Sequence, residues 1–462
     1  MIQNNVGFDV MCHLEKNPDD ILFEIGDANI SKEVFRNIVI SMALHMKNHD
    51  IDQSSCVGID CEESIIAIAL TLAISLHGCS WIRLTTEMVD IPITHIIQST
   101  SREFESDTIP IIKIDDSWLY KPDNVDLSQP INFTGHNSPD SIWMIAQSSG
   151  TTGQSKFIPI SYNSYWQRVN NDIDSFLSNI DKINILYYTL KSSVHYRAHA
   201  AILNDVIIVD HVDSLINHDN ILVVGSLGQV HSFVDKIQVP AVPFNATVDL
   251  AGAASNKSDV ERMLKYFSTV RLCYGSTETG RTYQKNITNI DQYNGSVGKK
   301  LSDNIVLQYD TNHVIKIMCS KQVDGYISDA DGFKDGWFYP GDLGYLQDDE
   351  LYITGRTKEQ FNIGGIKINP SAIDDFINSI DGVDKCLTFL DDTMCAIIVS
   401  SSDQTIIAKS IFDSCLIKFG PSKIPKKLYF MNTVPIGVNG KFVRKDGPSL
   451  VQNINPVELN FS

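Results

Sequence analysis

The chain has no CxxC pair and no regular cysteine spacing; its nine cysteines are scattered through 462 residues. An odd, dispersed set reads as reduced thiols rather than a disulfide framework. No hydrophobic run is long enough to span a bilayer. The most membrane-like stretch, Ser64 to Ile82, has an uninterrupted apolar part of about ten residues, against the roughly 20 that a spanning helix needs. It reads instead as a buried helix entering a strand. The N-terminus carries no basic region followed by an apolar run, so no secretory signal is expected. Positive charge is scarce, with 37 Lys and Arg against 56 Asp and Glu. The resulting net charge of −19 argues against nucleic acid or an anionic membrane as a partner. The expectation is a cytoplasmic protein without membrane insertion.

What remains is ordinary globular material, 43% hydrophobic and 20% charged, in a chain longer than one core normally organises. Two or more domains are therefore expected. Short runs rich in branched residues (SCVGID, SWIRL, THIIQS, SIWMIAQ, NILYYT, DVIIVDH, NILVVGS) read as strands. Amphipathic stretches such as KEVFRNIVISMALHMKNH and SDVERMLKYFS lie between several of them. That alternation predicts an α/β protein with largely parallel sheets, whose ligand loops gather at the carboxyl ends of strands. After about residue 300 the pattern changes to an antiparallel section (NIVLQYD, VIKIMCS), glycine turns, and a final α+β segment.

One loop stands out. QSSGTTGQSKFIPIS follows the strand-like IWMIAQ and sets Ser148, Ser149, Thr151 and Thr152 beside Gly150 and Gly153, with Lys156 behind them. Glycines let the backbone turn successive N–H groups on an anion, hydroxyls add donors, and lysine adds a point charge. A P-loop is excluded, because Ser155 and Phe157 flank the lysine where Gly and Ser or Thr are required. Alone, such a cluster is also what an ordinary turn looks like. Four later stretches make a polyphosphate the better reading: RLCYGSTETG, GWFYPGDLGYL, ITGRTKEQFNIGGIKINPSAID and VPIGVNGKFVRKD.

In this order the five stretches resemble the core motifs of the ANL adenylating enzymes. That superfamily comprises acyl- and aryl-CoA synthetases, peptide-synthetase adenylation domains and beetle luciferases. The likeness also touches ALTLAISLHGCSWIRL and AGAASNKSDVERML, and so runs from about residue 60 to 445. It implies a large multi-sheet α/β N-terminal domain, residues 1–357, that binds ATP and the acid. A smaller, mobile α+β C-terminal lid, residues 358–462, would follow. It further implies that a carboxylate attacks the α-phosphate of ATP, giving an acyl-adenylate and pyrophosphate, with Mg²⁺ present.

On that resemblance, Ser148, Ser149, Gly150, Thr151, Thr152, Gly153 and Lys156 would hold the outer phosphates. Tyr274 and Gly275, with the backbone of Gly252, Ala253 and Ala254, would border the adenine. Thr277 would donate to the α-phosphate and Glu278 would help hold Mg²⁺, a hard ion that prefers carboxylate oxygen. Asp342 would take the ribose hydroxyls and Arg356 would add a contact on the ribose or phosphate side. Lys441 would bridge the reacting carboxylate and phosphate. Lys358 would be the hinge, and Gly364–Gly365 the turn beside the tunnel for a thiol, either coenzyme A or phosphopantetheine.

Two features depart from the usual pattern: Ser155 stands where proline is frequent, and Pro340 precedes GDL in place of Ser or Thr. Neither removes a charged group. His195, in YYTLKSSVHYRAHAAIL, falls where the family carries a histidine motif and is the candidate residue gating the acid pocket. His195 and His199 also lie four apart, a spacing that suits two metal ligands on one helix face, but no HExxH pattern accompanies them. No FDxS-like segment is present, so an aryl or fatty carboxylic acid is expected rather than an amino acid. The alternative acceptor partner is an acyl carrier protein, which would need a local basic patch; Lys423, Lys426 and Lys427 could provide one, and read equally as an ordinary solvated face. A rival of another class is a non-catalytic nucleotide-binding protein, which would have no need of Lys441.

Overall fold

The computed structural model describes residues 4–84, 91–99, 106, 108–120, 133–136, 138–149, 155–186, 190–210, 218–252, 255–327, 332–363, 366–434 and 444–459. Two large sheets dominate. In the six-stranded sheet the order is Ile111–Lys113, His95–Gln98, Cys56–Asp60, Ser80–Arg83, Ile142–Ser149 and Ser155–Ser161. All neighbours are parallel except the last pair. In the nine-stranded sheet six parallel strands lie centrally, among them Lys182–Ile185, Ile221–Ser226, Phe244–Ala251 and Phe267–Ser276. Antiparallel strands close both of its edges. One buried cluster joins the two sheets. It takes Trp81 and Trp143 from the first, Phe23, Ile183 and Val224 from the second, and Val39, Leu72 and Ala198 from helices. A core shared by two sheets and their helices is what the alternating strand and helix pattern predicts.

The helix Ser64–His77 shows how local chemistry sets these elements. Every residue from Ala67 to His77 is buried, which suits a helix enclosed on all sides. It stops at Gly78, at φ +74°, where a Cβ would lie 2.0 Å from the carbonyl oxygen of Gly135. Only glycine fits both the left-handed backbone and that approach. The strand Ser80–Arg83 follows at once, as expected. Among the described residues no helix is long and apolar enough to cross a membrane.

The predicted NILYYT strand sits earlier than its sequence pattern suggests, at Lys182–Ile185, with residues 187–189 outside the described set. Lys182 can start a buried strand because its ammonium meets Glu24 at 2.7 Å. Past residue 300, Val306–Tyr309 pairs with Ile315–Met318 antiparallel, as read. The hairpin Asp342–Gln347/Glu350–Arg356 comes next. Beyond it the α+β section carries a four-stranded sheet and the helices Pro370–Asn378 and Gln404–Phe419. Its own core includes Ile377, Ile398, Ile411 and Leu428.

Candidate active site

The parallel strands Phe244–Ala251 and Phe267–Ser276 end at a cleft of about 1950 Å³. Carboxyl ends of parallel strands are where α/β sheets place ligands. Lys156, Gly252, Tyr274, Gly275, Thr277, Glu278, Asp342, Arg356 and Lys358 all line this one space, although the sequence spreads them over some two hundred residues.

Each arrives by a definite element. Strands Ile142–Ser149 and Ser155–Ser161 pair with Ser148 opposite Lys156 and Ser149 opposite Ser155. The hairpin therefore brings Lys156 to the cleft. Gly150, Thr151, Thr152 and Gly153 lie outside the described residues, as do Ala253, Ala254, Gly364, Gly365 and Lys441. Gly252, which follows the strand Phe244–Ala251 at φ +81°, has nothing within 4 Å of where a Cβ would stand. Its backbone thus borders open cleft.

Asp342 is the best-defined group. Tyr274 donates its hydroxyl to Asp342 Oδ2 at 2.7 Å, and Arg356 Nε lies 2.8 Å from Oδ1. The carboxylate is 5% exposed and held from both sides, so it is oriented before any ligand arrives. Burial first, and then the Asp342 charge, raises the Tyr274 phenol well above its usual range. Tyr274 therefore remains a donor at any physiological pH. Arg356 thus meets the carboxylate directly, a contact that its expected place beside ribose or phosphate did not specify.

Glu278 accepts a 2.8 Å hydrogen bond from Tyr326, whose ring also lies 4.1 Å from the Lys156 ammonium. Burial and the Glu278 charge raise the Tyr326 phenol as well. The backbone around Glu278 is gripped by Arg168, which is 3% exposed. Its guanidinium donates to the carbonyls of Thr277 (2.8 Å), Glu278 (3.0 Å) and Lys321 (3.2 Å). Among the described residues no group of three or more His, Cys, Asp or Glu is placed to hold a metal unaided. One carboxylate, completed by phosphate oxygens, is the donor set that Mg²⁺ commonly takes with a nucleotide. The residues present fit Mg²⁺ carried on ATP.

The gating role expected of His195 is corrected by its position. The helix Ser192–Leu203 turns Tyr196 and Arg197 to the cleft, and His195 and His199 into the core. His195 has no exposed surface, lies edge-on to Trp81 at 4.9 Å and meets Thr71 Oγ1 at 3.2 Å. His199 Nδ1 meets the Tyr165 hydroxyl at 2.7 Å. Sequence reasoning also missed Arg168, Tyr326 and Arg444. Arg444 lines the far wall and pairs with Asp374 at 2.5 Å and Glu359 at 3.3 Å. Only Arg444 had a nearby signal, three positions past the NGK turn.

Two large α/β sheets, a cleft at their strand ends and a small α+β section beyond it make the fold of the ANL adenylate-forming enzymes, bearing out the resemblance read from the motifs. No family model matches the chain. Among curated proteins it is 20% identical over 480 residues to a 2-succinylbenzoate–CoA ligase of Bacillus cereus, covering 95% of this chain and 97% of that one. Among solved structures it is similar to the o-succinylbenzoate CoA synthetase MenE of Bacillus subtilis, in complex with the acyl-adenylate intermediate OSB-AMP. The TM-score there is 0.80 at 17% identity, over 98% of this chain and 99% of that one. The amide bond synthetase McbA of Marinactinospora thermotolerans gives 0.81 at 14% identity, over 97% and 99%.

Proposed function

We propose that the protein is an AMP-forming acid–CoA ligase, which activates a carboxylic acid as its acyl-adenylate and passes the acyl group to coenzyme A. The observation that carries this reading is the convergence of Lys156, Glu278 and the Tyr274–Asp342–Arg356 set on one cleft. A pre-oriented carboxylate suits ribose hydroxyls, and lysine suits phosphate. Electrostatic positioning of this kind is the main catalytic contribution in phosphoryl chemistry. When bound, Mg²⁺ would neutralise phosphate charge beside Glu278. Curated relatives named as CoA ligases favour coenzyme A over a carrier-protein arm.

The acid would enter beside Tyr196, Arg197, Cys273 and Arg281, which line the cleft together. Similarity to 2-succinylbenzoate ligases supports an aryl dicarboxylic acid. The division at residues 357/358 and the rotation of the smaller part belong to the same reading. The test is acid-dependent pyrophosphate release with ATP and Mg²⁺ over aryl dicarboxylic, aryl monocarboxylic and fatty acids, each with no acceptor, coenzyme A or holo carrier protein. Turnover with an aryl dicarboxylic acid and coenzyme A is expected. Turnover only with a carrier protein, or ATP binding without any pyrophosphate release, would overturn the reading.

A further inference from the structure

Residues 321–327 cross the phosphate end of the cleft as a strap. The Val323 amide donates to the Glu278 carbonyl at 3.0 Å, and the Ile327 amide donates to the Phe157 carbonyl at 3.0 Å. The strap therefore joins the turn carrying Glu278 to the strand carrying Lys156. Its base is pinned at the carbonyl of Lys321 by Ser164 Oγ (2.9 Å) and by Arg168. Between the two anchor bonds stands Tyr326. Its ring faces the Lys156 ammonium at 4.1 Å and its hydroxyl donates to Glu278 Oε1 at 2.8 Å. Phe333 buttresses the ring edge-on at 5.3 Å.

From this geometry we infer that Tyr326 is a positioning residue that couples the phosphate lysine to the metal-binding carboxylate. The inference rests on the ligase reading of the site. Glutamate is a flexible side chain, and fixing it before the ion arrives lowers the entropic cost of binding. A carboxylate accepts about four hydrogen bonds, so one phenol donor leaves capacity for a cation. The ring meanwhile holds Lys156 by its π face. One side chain thus sets the spacing of the two charges that must meet the same triphosphate.

The test compares Tyr326→Phe, which deletes the hydroxyl alone, with Tyr326→Leu, which deletes the ring too. Phe333→Leu serves as a packing control. Binding of α,β-methylene-ATP is measured by calorimetry without metal, and Mn²⁺ binding to the nucleotide complex by electron paramagnetic resonance. Tyr326→Phe is expected to weaken Mn²⁺ about tenfold, the lower end of what loss of one hydrogen bond to a charged group implies, with metal-free nucleotide affinity unchanged. Tyr326→Leu should weaken both, and Phe333→Leu, which loosens the ring but keeps the hydroxyl, should lower the melting temperature and weaken Mn²⁺ less than Tyr326→Phe does. Wild-type binding of nucleotide and Mn²⁺ with Tyr326→Phe unchanged would overturn the inference alone. Equal Mn²⁺ losses in Tyr326→Phe and Phe333→Leu would also overturn it. Failure of the wild-type chain to bind metal and nucleotide would overturn the ligase reading, and this inference with it.

Discussion

Asp342 has a tyrosine hydroxyl on one oxygen and a guanidinium on the other. Neither contact alone determines where the carboxylate points, and together they fix it. Tyr274→Phe keeps the aromatic wall and removes one charge-assisted bond, worth about 1.5 kcal/mol. ATP affinity measured by calorimetry should fall about tenfold, with little change in melting temperature. An unchanged affinity would mean that Arg356 orients the carboxylate unaided. The chemistry at this scale was legible in sequence wherever it uses contiguous residues: YGSTE and GDL each carry their group and the turn that presents it. Arg168 and Tyr326 were not legible. Arg168 grips a carbonyl 110 residues further along the chain, and Tyr326 meets a carboxylate 48 residues before it. Nothing in WQRVN or DGYIS specifies those meetings; the fold does.

The helix Ser192–Leu203 shows the same limit at the scale of an element. The motif set His195 at the pocket, and the rotation of the helix, which VHYRAHA does not specify, sets it in the core. Packing against Trp81 and Trp143 decides the rotation and buries both histidines. Burial drives the His195 pKa down to about 3, and drives His199 well below its usual range with His195 adding to the effect. A histidine depressed in the folded state contributes stability that is complete above its unfolded pKa of about 6.5. That stability is lost as pH falls toward 3, because only the unfolded chain takes the proton. At pH 5 His195 alone should cost about 2 kcal/mol. His195→Asn, whose amide can stand where Nδ1 meets Thr71, should therefore move the acid-unfolding midpoint to lower pH. An unshifted midpoint would show that acid unfolding begins elsewhere. By contrast the strands Cys56–Asp60, Ser80–Arg83 and Ile221–Ser226 were legible, since a run buried on both faces has no rotation to choose.

At the scale of the whole molecule the cleft has two walls, and its far wall comes from the α+β section. Lys385 of that section reaches Asp259, on the helix Lys257–Leu264, at 3.3 Å. Asp259 is 4% exposed and is also met by His231 at 3.2 Å and by the Asn256 amide at 3.1 Å. A carboxylate so enclosed has few substitutes for a lost partner, so removing the lysine should cost about 1–2 kcal/mol of docking. That is a factor of about 5–30 in the population of this arrangement. If the smaller section turns between adenylation and thioester formation, Lys385→Ala should alter the two half-reactions unequally, because the ion pair supports one arrangement only. Lys358 lies in the short 3₁₀ turn Thr357–Glu359 that leads out of the Glu350–Arg356 strand, where the division is proposed. Trypsin cleavage after Lys358 reports how often that turn opens. Lys385→Ala should speed it about fivefold or more, and saturating ATP with Mg²⁺ should slow it again if the nucleotide draws the two walls together. Equal losses in both half-reactions, with cleavage unchanged, would mean that the sections stay docked throughout turnover. Substrate exchange would then have to pass through the standing cleft.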